Sequence, residues 1–115
     1  MDKAWATQLK KGVMELTVLA VLRDGEAYGY QLLQRLSGNS LLSTTESTLY
    51  PILARLADEE LVAVRHAPSP AGPPRRYYRI TARGQQHLRE LIDYWHEFRQ
   101  AIDGQLAGVQ NGDTK

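Results

Sequence analysis

Residues 61–80 read LVAVRHAPSPAGPPRRYYRI, and this stretch decides the fold. Leu61-Val62-Ala63-Val64-Arg65 and Arg76-Tyr77-Tyr78-Arg79-Ile80 alternate in polarity and are rich in β-branched and aromatic residues, the pattern of two strands. The segment between them, Ala67-Pro68-Ser69-Pro70-Ala71-Gly72-Pro73-Pro74, holds four of the chain's five prolines. A stiff loop at the tip of a hairpin is therefore predicted, not a tight two-residue turn.

The flanking sequence is helical on both sides. Leu9, Val13, Leu16, Leu19 and Ala20 recur at helical spacing and predict a well-buried first helix over 9–22, closed by Gly25. A second helix over 28–36 carries Leu32, Leu33 and Leu36 on one face and stops at Ser37-Gly38-Asn39. Ser43-Thr44-Thr45-Glu46 has the form of a capping box, in which the Ser43 hydroxyl takes an orphan amide and Glu46 reaches back to the cap's own amide. A third helix is expected to begin there. Leu49, Ile52, Leu53 and Leu56 form its apolar face, which leaves Thr44, Ser47, Thr48, Pro51 and Arg55 opposite, with Tyr50 flanking. Pro51 either kinks this helix or moves its start to Tyr50. Downstream of the hairpin, Thr81 caps a last helix. Leu88, Leu91, Trp95, Phe98 and Ile102 recur along it at spacings of three and four, a narrow heptad seam that calls for a partner helix.

Helix, helix, helix, hairpin and long helix is the order of a winged helix-turn-helix followed by a dimerisation helix. The fold class expected is mainly α with a small β-hairpin: a winged helix over 1–80, a dimerisation helix over 81–107, and a disordered tail over 108–115. At 115 residues, 43% hydrophobic and 23% charged, the chain suits one globular domain. The longest apolar run, Val18 to Leu22, is far short of the roughly 20 residues that cross a bilayer. The N-terminal residues lack the apolar core of a signal peptide, and a cytoplasmic location is expected. With no cysteine, disulfides, thiolate zinc sites and a cysteine nucleophile are excluded.

Charge is distributed in blocks. Residues 61–89 contain six arginines (Arg65, Arg75, Arg76, Arg79, Arg83 and Arg89) and no acid, whereas the segments on either side are net negative. A basic block on a hairpin suits a polyanion, because the planar arginine fork can bond two phosphate oxygens or two base-edge acceptors. The hydroxyl-rich face of the third helix is small enough to enter a major groove. An enzyme reading finds no support: His66, His87 and His96 are scattered, and no Gly-rich phosphate loop follows a strand. Asp93, His96 and Glu97 lie on one helical face, where they either hold a metal weakly or are simply solvated. No cofactor or metal is expected. An RNA-binding reading lacks an exposed aromatic strand face, Tyr77 apart. The alternative is a winged-helix module that binds an acidic protein and reads no DNA sequence.

Three motifs in order, Tyr28-Gly29-Tyr30, Thr48-Leu49-Tyr50-Pro51-Ile52-Leu53-Ala54-Arg55-Leu56 and Pro74-Arg75-Arg76-Tyr77-Tyr78-Arg79-Ile80-Thr81 with Gly84, resemble the PadR-like transcriptional regulators over roughly residues 9–100. The sequence departs from that family at Gln31, where an acid is common, and at Glu60, where glycine is common. Proline within the recognition helix is a family feature. The resemblance implies a homodimeric, repressor-like regulator of double-stranded operator DNA, with the third helix in the major groove and the wing against the backbone or minor groove. It carries over Tyr50, Arg55, Arg75 and Arg76 as DNA contacts. The helical wheel adds Thr44, Ser47 and Thr48, and Tyr30 stands near the phosphates. Tyr50 either touches DNA or packs between helix and wing, Tyr78 and Ile80 read as core, and Arg79 and Arg83 either touch DNA or pair with neighbouring acids. Trp95 and the single last helix resemble the small-C-terminal-domain branch, some members of which bind flat aromatic compounds between subunits. Trp95 is then either an interface anchor or one wall of a cavity that Leu9, Val13 and Leu16 close, in which an aromatic effector stacks.

Overall fold

A computed structural model describes residues 4–109, so positions 110–115 of the expected tail lie outside the described residues. The elements in chain order are α1 (Ala4–Lys11), α2 (Met14–Leu22), β1 (Ala27–Tyr28), α3 (Gly29–Ser37), α4 (Glu46–Asp58), β2 (Val62–Ala67), β3 (Arg75–Ile80) and α5 (Ala82–Leu106). This is a winged helix-turn-helix with a long C-terminal helix. Strand β3 lies at the centre of a three-stranded antiparallel sheet in the order β1-β3-β2. It pairs with β2 from Val62↔Ile80 to Ala67↔Arg75, and with β1 through Ala27↔Tyr78 and Tyr28↔Tyr77.

The core is built from helix faces closed by the sheet. Val18, Leu19 and Leu22 of α2, Leu32 and Leu36 of α3, and Leu49, Leu53 and Leu56 of α4 are inaccessible to solvent, and Ala27, Leu61, Val62 and Tyr78 cover them from the sheet side. Burial of each such leucine contributes about 1.5–3 kcal/mol. Tyr78 belongs to this core.

Four expectations need correction. The first helix is two helices, broken at Gly12, the poorest helix former after proline. Only α2 is buried; α1 has no buried residue and Leu9 is 70% exposed. Helix α4 starts at Glu46 with Thr45 at its N-cap, not Ser43, whose hydroxyl donates to the Ser40 carbonyl instead (3.1 Å). The helix runs unbroken through Pro51. Pro51 and Ser47, whose carbonyl Pro51 cannot serve, both lie on the exposed face. Finally, the division at residue 81 does not separate two cores, because Leu88 of α5 is 3% exposed and packs in the same cluster as α2. Leu88 therefore offers no surface to a dimer partner.

Helix α4 ends in a Schellman turn: the Leu61 amide donates to the Leu56 carbonyl (2.9 Å) and the Glu60 amide to the Ala57 carbonyl (3.0 Å). That turn needs a left-handed residue, and Glu60 supplies it at φ 62°. The departure from the glycine common at this position is thus paid in backbone strain, about 1 kcal/mol for a residue with a Cβ. Gln31 is a milder departure, since its side-chain oxygen accepts the Tyr28 amide (3.0 Å) at the start of α3, as a carboxylate would. Thr81 caps α5 by accepting the Gly84 amide (2.9 Å). The 25-residue helix then runs about 37 Å. The longest extent of the molecule is 59 Å, and its radius of gyration is 16.8 Å against about 13 Å for a compact chain of roughly 100 residues. None of the described helices is long and apolar enough to cross a membrane.

Glu60→Gly is expected to stabilise the protein by about 0.5–1 kcal/mol, read as a higher urea midpoint at unchanged slope. A lower midpoint would show that the Glu60 side chain contributes more than its backbone strain costs.

Candidate nucleic-acid interface

Helix α4 turns Leu49, Leu53 and Leu56 into the core, and this fixes what it presents outward: Glu46, Ser47, Tyr50, Pro51 and Ala54. Hydroxyls line the entrance of the helix. Thr45 Oγ1 lies 3.0 Å from Ser47 Oγ and donates to Thr48 Oγ1 at 3.3 Å. Thr44 and Thr48, both half-buried, join Thr7, Lys10 and Lys11 around a shallow concavity of about 280 Å³. Lys10 Nζ donates to the Ser43 carbonyl at 3.1 Å. Helix α1 therefore brings two lysines to the start of α4, a contribution hidden in the sequence because those lysines lie more than 30 positions away.

On the other flank of α4, Tyr28, Gly29, Tyr30, Tyr50, Pro74, Arg75, Arg76 and Tyr78 surround an open groove of about 490 Å³ between recognition helix and wing. The Tyr50 ring is pressed onto Gly29, where an added Cβ would collide with it. Tyr50 thus packs against α3 and is still 39% exposed. Burial pushes its hydroxyl pKa up, the charge of Glu46 and Tyr78 add to this, and Arg76 opposes it. Arg75 lies over the Tyr28 ring at 4.4 Å, and Tyr28 meets Tyr77 edge-on at 5.4 Å. These aromatic contacts hold the wing arginine at the rim of the groove.

The basic block is less uniform than its sequence. Arg65 donates two bonds to Glu26, at 3.0 and 2.8 Å, and lies over Tyr77 at 4.7 Å. Its fork is satisfied within the protein, away from the groove that Arg75 and Arg76 line. Thr44, Ser47, Thr48, Tyr50, Tyr30, Arg75 and Arg76 thus fall around α4 and its two flanking concavities. Arg55 does not.

Residues 18–90 match the sequence profile of the transcriptional regulator PadR-like family. The chain belongs to that family. A PadR family transcriptional regulator from Eggerthella lenta has a similar fold, with a TM-score of 0.82 and 32% identity, the match covering 93% of this chain and 92% of that one. A PadR-like transcriptional regulator from Bacillus cereus aligns with a TM-score of 0.75 and 33% identity over 88% of this chain and 98% of its own. An uncharacterised protein from Lysinibacillus sphaericus is 30% identical over 102 residues, 87% of this chain and 94% of its own length. Membership makes this PadR-like protein a transcriptional regulator and not an enzyme.

A third concavity of this PadR-like chain lies where α1, α2 and α5 meet. Leu9, Val13, Leu16 and Trp95, which the sequence analysis grouped as a ligand wall, do line one open apolar cleft of about 780 Å³. Tyr94 and Phe98, stacked with centroids 5.7 Å apart, complete its α5 side. Tyr94 lies off the heptad seam and was missed; its four-residue spacing from Phe98 was the available signal. Along the seam, Leu91 and Trp95 are half-buried, while Phe98 and Ile102 are 46% and 42% exposed. Among the described residues, no group of three or more His, Asp or Glu side chains is placed to hold a metal ion, Asp93, His96 and Glu97 included.

Between the cleft and α4 lies a three-element clamp. Glu15 of α2 accepts from Arg55 of α4 through Oε1 and from His87 Nε2 of α5 through Oε2, both at 2.7 Å. Arg55 also approaches Glu59 at 3.9 Å. Its guanidinium faces α2, which sets it apart from the groove residues and ties α4 to α2. Burial alone would raise the Glu15 pKa, but hydrogen bonds and charge from Arg55 and His87 outweigh it and hold the carboxyl below the usual carboxylate range. A depressed folded pKa gives stability that is complete above the unfolded value and is lost as pH falls through the folded one. Glu15→Gln is accordingly expected to cost about 1–2 kcal/mol at pH 7, a difference that shrinks toward pH 3, in urea unfolding measured at both values. A constant difference would assign the loss to packing instead.

Proposed function

We propose that this PadR-like regulator is a homodimeric repressor that binds a pseudo-palindromic operator in double-stranded DNA, with α4 in the major groove and the β2–β3 wing on the backbone or minor groove. The observation that carries this reading is the single face on which the exposed side of α4, the lysines of α1 and the groove lined by Arg75 and Arg76 adjoin. Ser47, Thr48, Thr44 and Tyr50 are assigned to base edges and nearby phosphates, and Tyr30, Arg75 and Arg76 to the backbone. The protein then works in the cytoplasm, with the DNA it reads. Dimerisation is assigned to the projecting half of α5, where Phe98, Ile102 and Leu106 lie exposed at helical spacing, the first two lining one cleft with Leu9 of α1. Two-fold symmetry then sets the half-sites about one helical turn, or a multiple of it, apart. The apolar cleft, aromatic on its α5 side, supports a planar aromatic effector stacked near Trp95. Such a ligand acts only if it binds one spacing of the recognition helices better than another.

The experiment is binding to DNA spanning the protein's own upstream region and to random duplex of equal length, at two salt concentrations. Selective, salt-sensitive binding is expected. Arg75→Ala and Arg76→Ala should weaken both DNAs alike, each lowering the salt slope by about 0.9 per lost phosphate contact. Absence of binding at low salt would overturn the DNA reading in favour of a protein-binding module. Replacing Phe98 and Ile102 together by Asp should give a monomer in sedimentation at micromolar concentration; an undisturbed dimer would place the interface elsewhere.

A further inference from the structure

Glu46 has an acid's chemistry in a place where a DNA-binding face has little use for one. The sequence gives it a capping role, but the helix begins at Glu46 itself, with Thr45 at the cap, so the carboxylate has no cap to serve. Among the described residues it makes no hydrogen bond or ion pair, and it is exposed on the same outward face as Ser47 and Tyr50. Its charge reaches the Tyr50 hydroxyl, as does that of Arg76 from the wing, which places Glu46 in the electrostatic neighbourhood of the groove and not on a remote flank.

A carboxylate so placed cannot bond a phosphate oxygen, since both are acceptors and both are negative. Near DNA it raises the cost of every encounter in which it meets only backbone. The partners a duplex offers it are exocyclic amines in the major groove, and the pairing suited to a carboxylate is the cytosine N4 amine. The N-terminal residues of a recognition helix are the ones that reach base edges. We propose that Glu46 is a specificity-determining residue that accepts from cytosine N4 at one position of each operator half-site. It adds selectivity by rejecting sites that lack the amine more than by raising affinity, which is how a repulsive group separates partners. The inference rests on the proposed docking of α4 in the major groove.

The test is selection from a randomised duplex library with the full-length wild-type protein, Glu46→Gln and Glu46→Ala, after matched thermal midpoints have shown that all three fold. Wild type is expected to enrich cytosine at one symmetric position per half-site. Glu46→Ala should lower that enrichment by about tenfold. Glu46→Gln should move the preference at that position toward adenine, whose N6 and N7 suit an amide. Both variants should bind random duplex more tightly than wild type at low salt. Identical preferences in all three proteins, or a uniform loss of enrichment at every position in the variants, would overturn the role of Glu46 while leaving the docking intact. A wild-type selection without any enrichment would overturn the DNA reading itself and this inference with it.

Discussion

The Leu61 carbonyl is the point on which the arrangement of the molecule turns. It accepts from the Thr81 amide at 3.1 Å and shares the Thr81 hydroxyl proton, at 3.1 Å, with the nearer Glu60 carbonyl at 2.8 Å, and Gly84 sits so close to it that no Cβ would fit between. Leu61 closes the Schellman turn of α4 and leads into β2, while Thr81 ends β3 and caps α5. One backbone oxygen thereby joins the recognition helix, both wing strands and the long helix. The glycine in the motif that follows the wing is explained by this contact: any side chain at position 84 would force α5 away from the turn, and with it the helix that projects from the body.

The charge pattern shows why counting along a sequence overstates an electrostatic face. Six arginines without an acid over residues 61–89 read as one patch, yet β1 brings Glu26 up beside Arg65, and the charge of Arg79 also reaches that carboxylate. What remains beside the groove is Arg75, held over the Tyr28 ring, and Arg76, together with the lysines that α1 brings to the opposite flank of α4. The reading face is therefore assembled from four separate segments of chain. In the proposed docking, a phosphate backbone would meet positive charge on both sides of α4 and hydroxyls, an aromatic ring and one carboxylate between them.

What could be read in the sequence was what local chemistry decides. The hairpin, its proline-rich tip, the Thr81 cap and the apolar face of α4 depend on neighbours a few residues apart, and all are present. Strand β1 was not legible, because two residues become a strand only by pairing with β3, some 50 positions on. The start of α4 was misplaced because Ser43, Thr44 and Thr45 are all capable caps, and the contact that separates them is tertiary: Lys10 holds the Ser43 carbonyl. Periodicity found the seam of α5 but could not say what covers each residue, so Leu88, which the chain's own core covers, was counted with Phe98 and Ile102, which it leaves bare. The Glu15 partner of Arg55 was hidden for a related reason. A helical wheel shows that it faces away from the leucines, not that Glu15 waits there.

Glu15 completes the mechanical picture. Helix α5 is fixed relative to α4 by the Leu61 junction at its first turn, and one turn further on by Glu15, which grips Arg55 of α4 and His87 of α5 with separate oxygens. Beyond Leu91 and Trp95 the helix leaves the body. A dimer built on that projecting half would have its two recognition helices spaced by the angle at which α5 departs, and a tilt of a few degrees at the junction is magnified along a 25-residue helix. Glu15 and His87 also line the apolar cleft, so anything seated there touches the clamp that resists such a tilt. The residues that tie α4 to α5 are thus among those the cleft exposes.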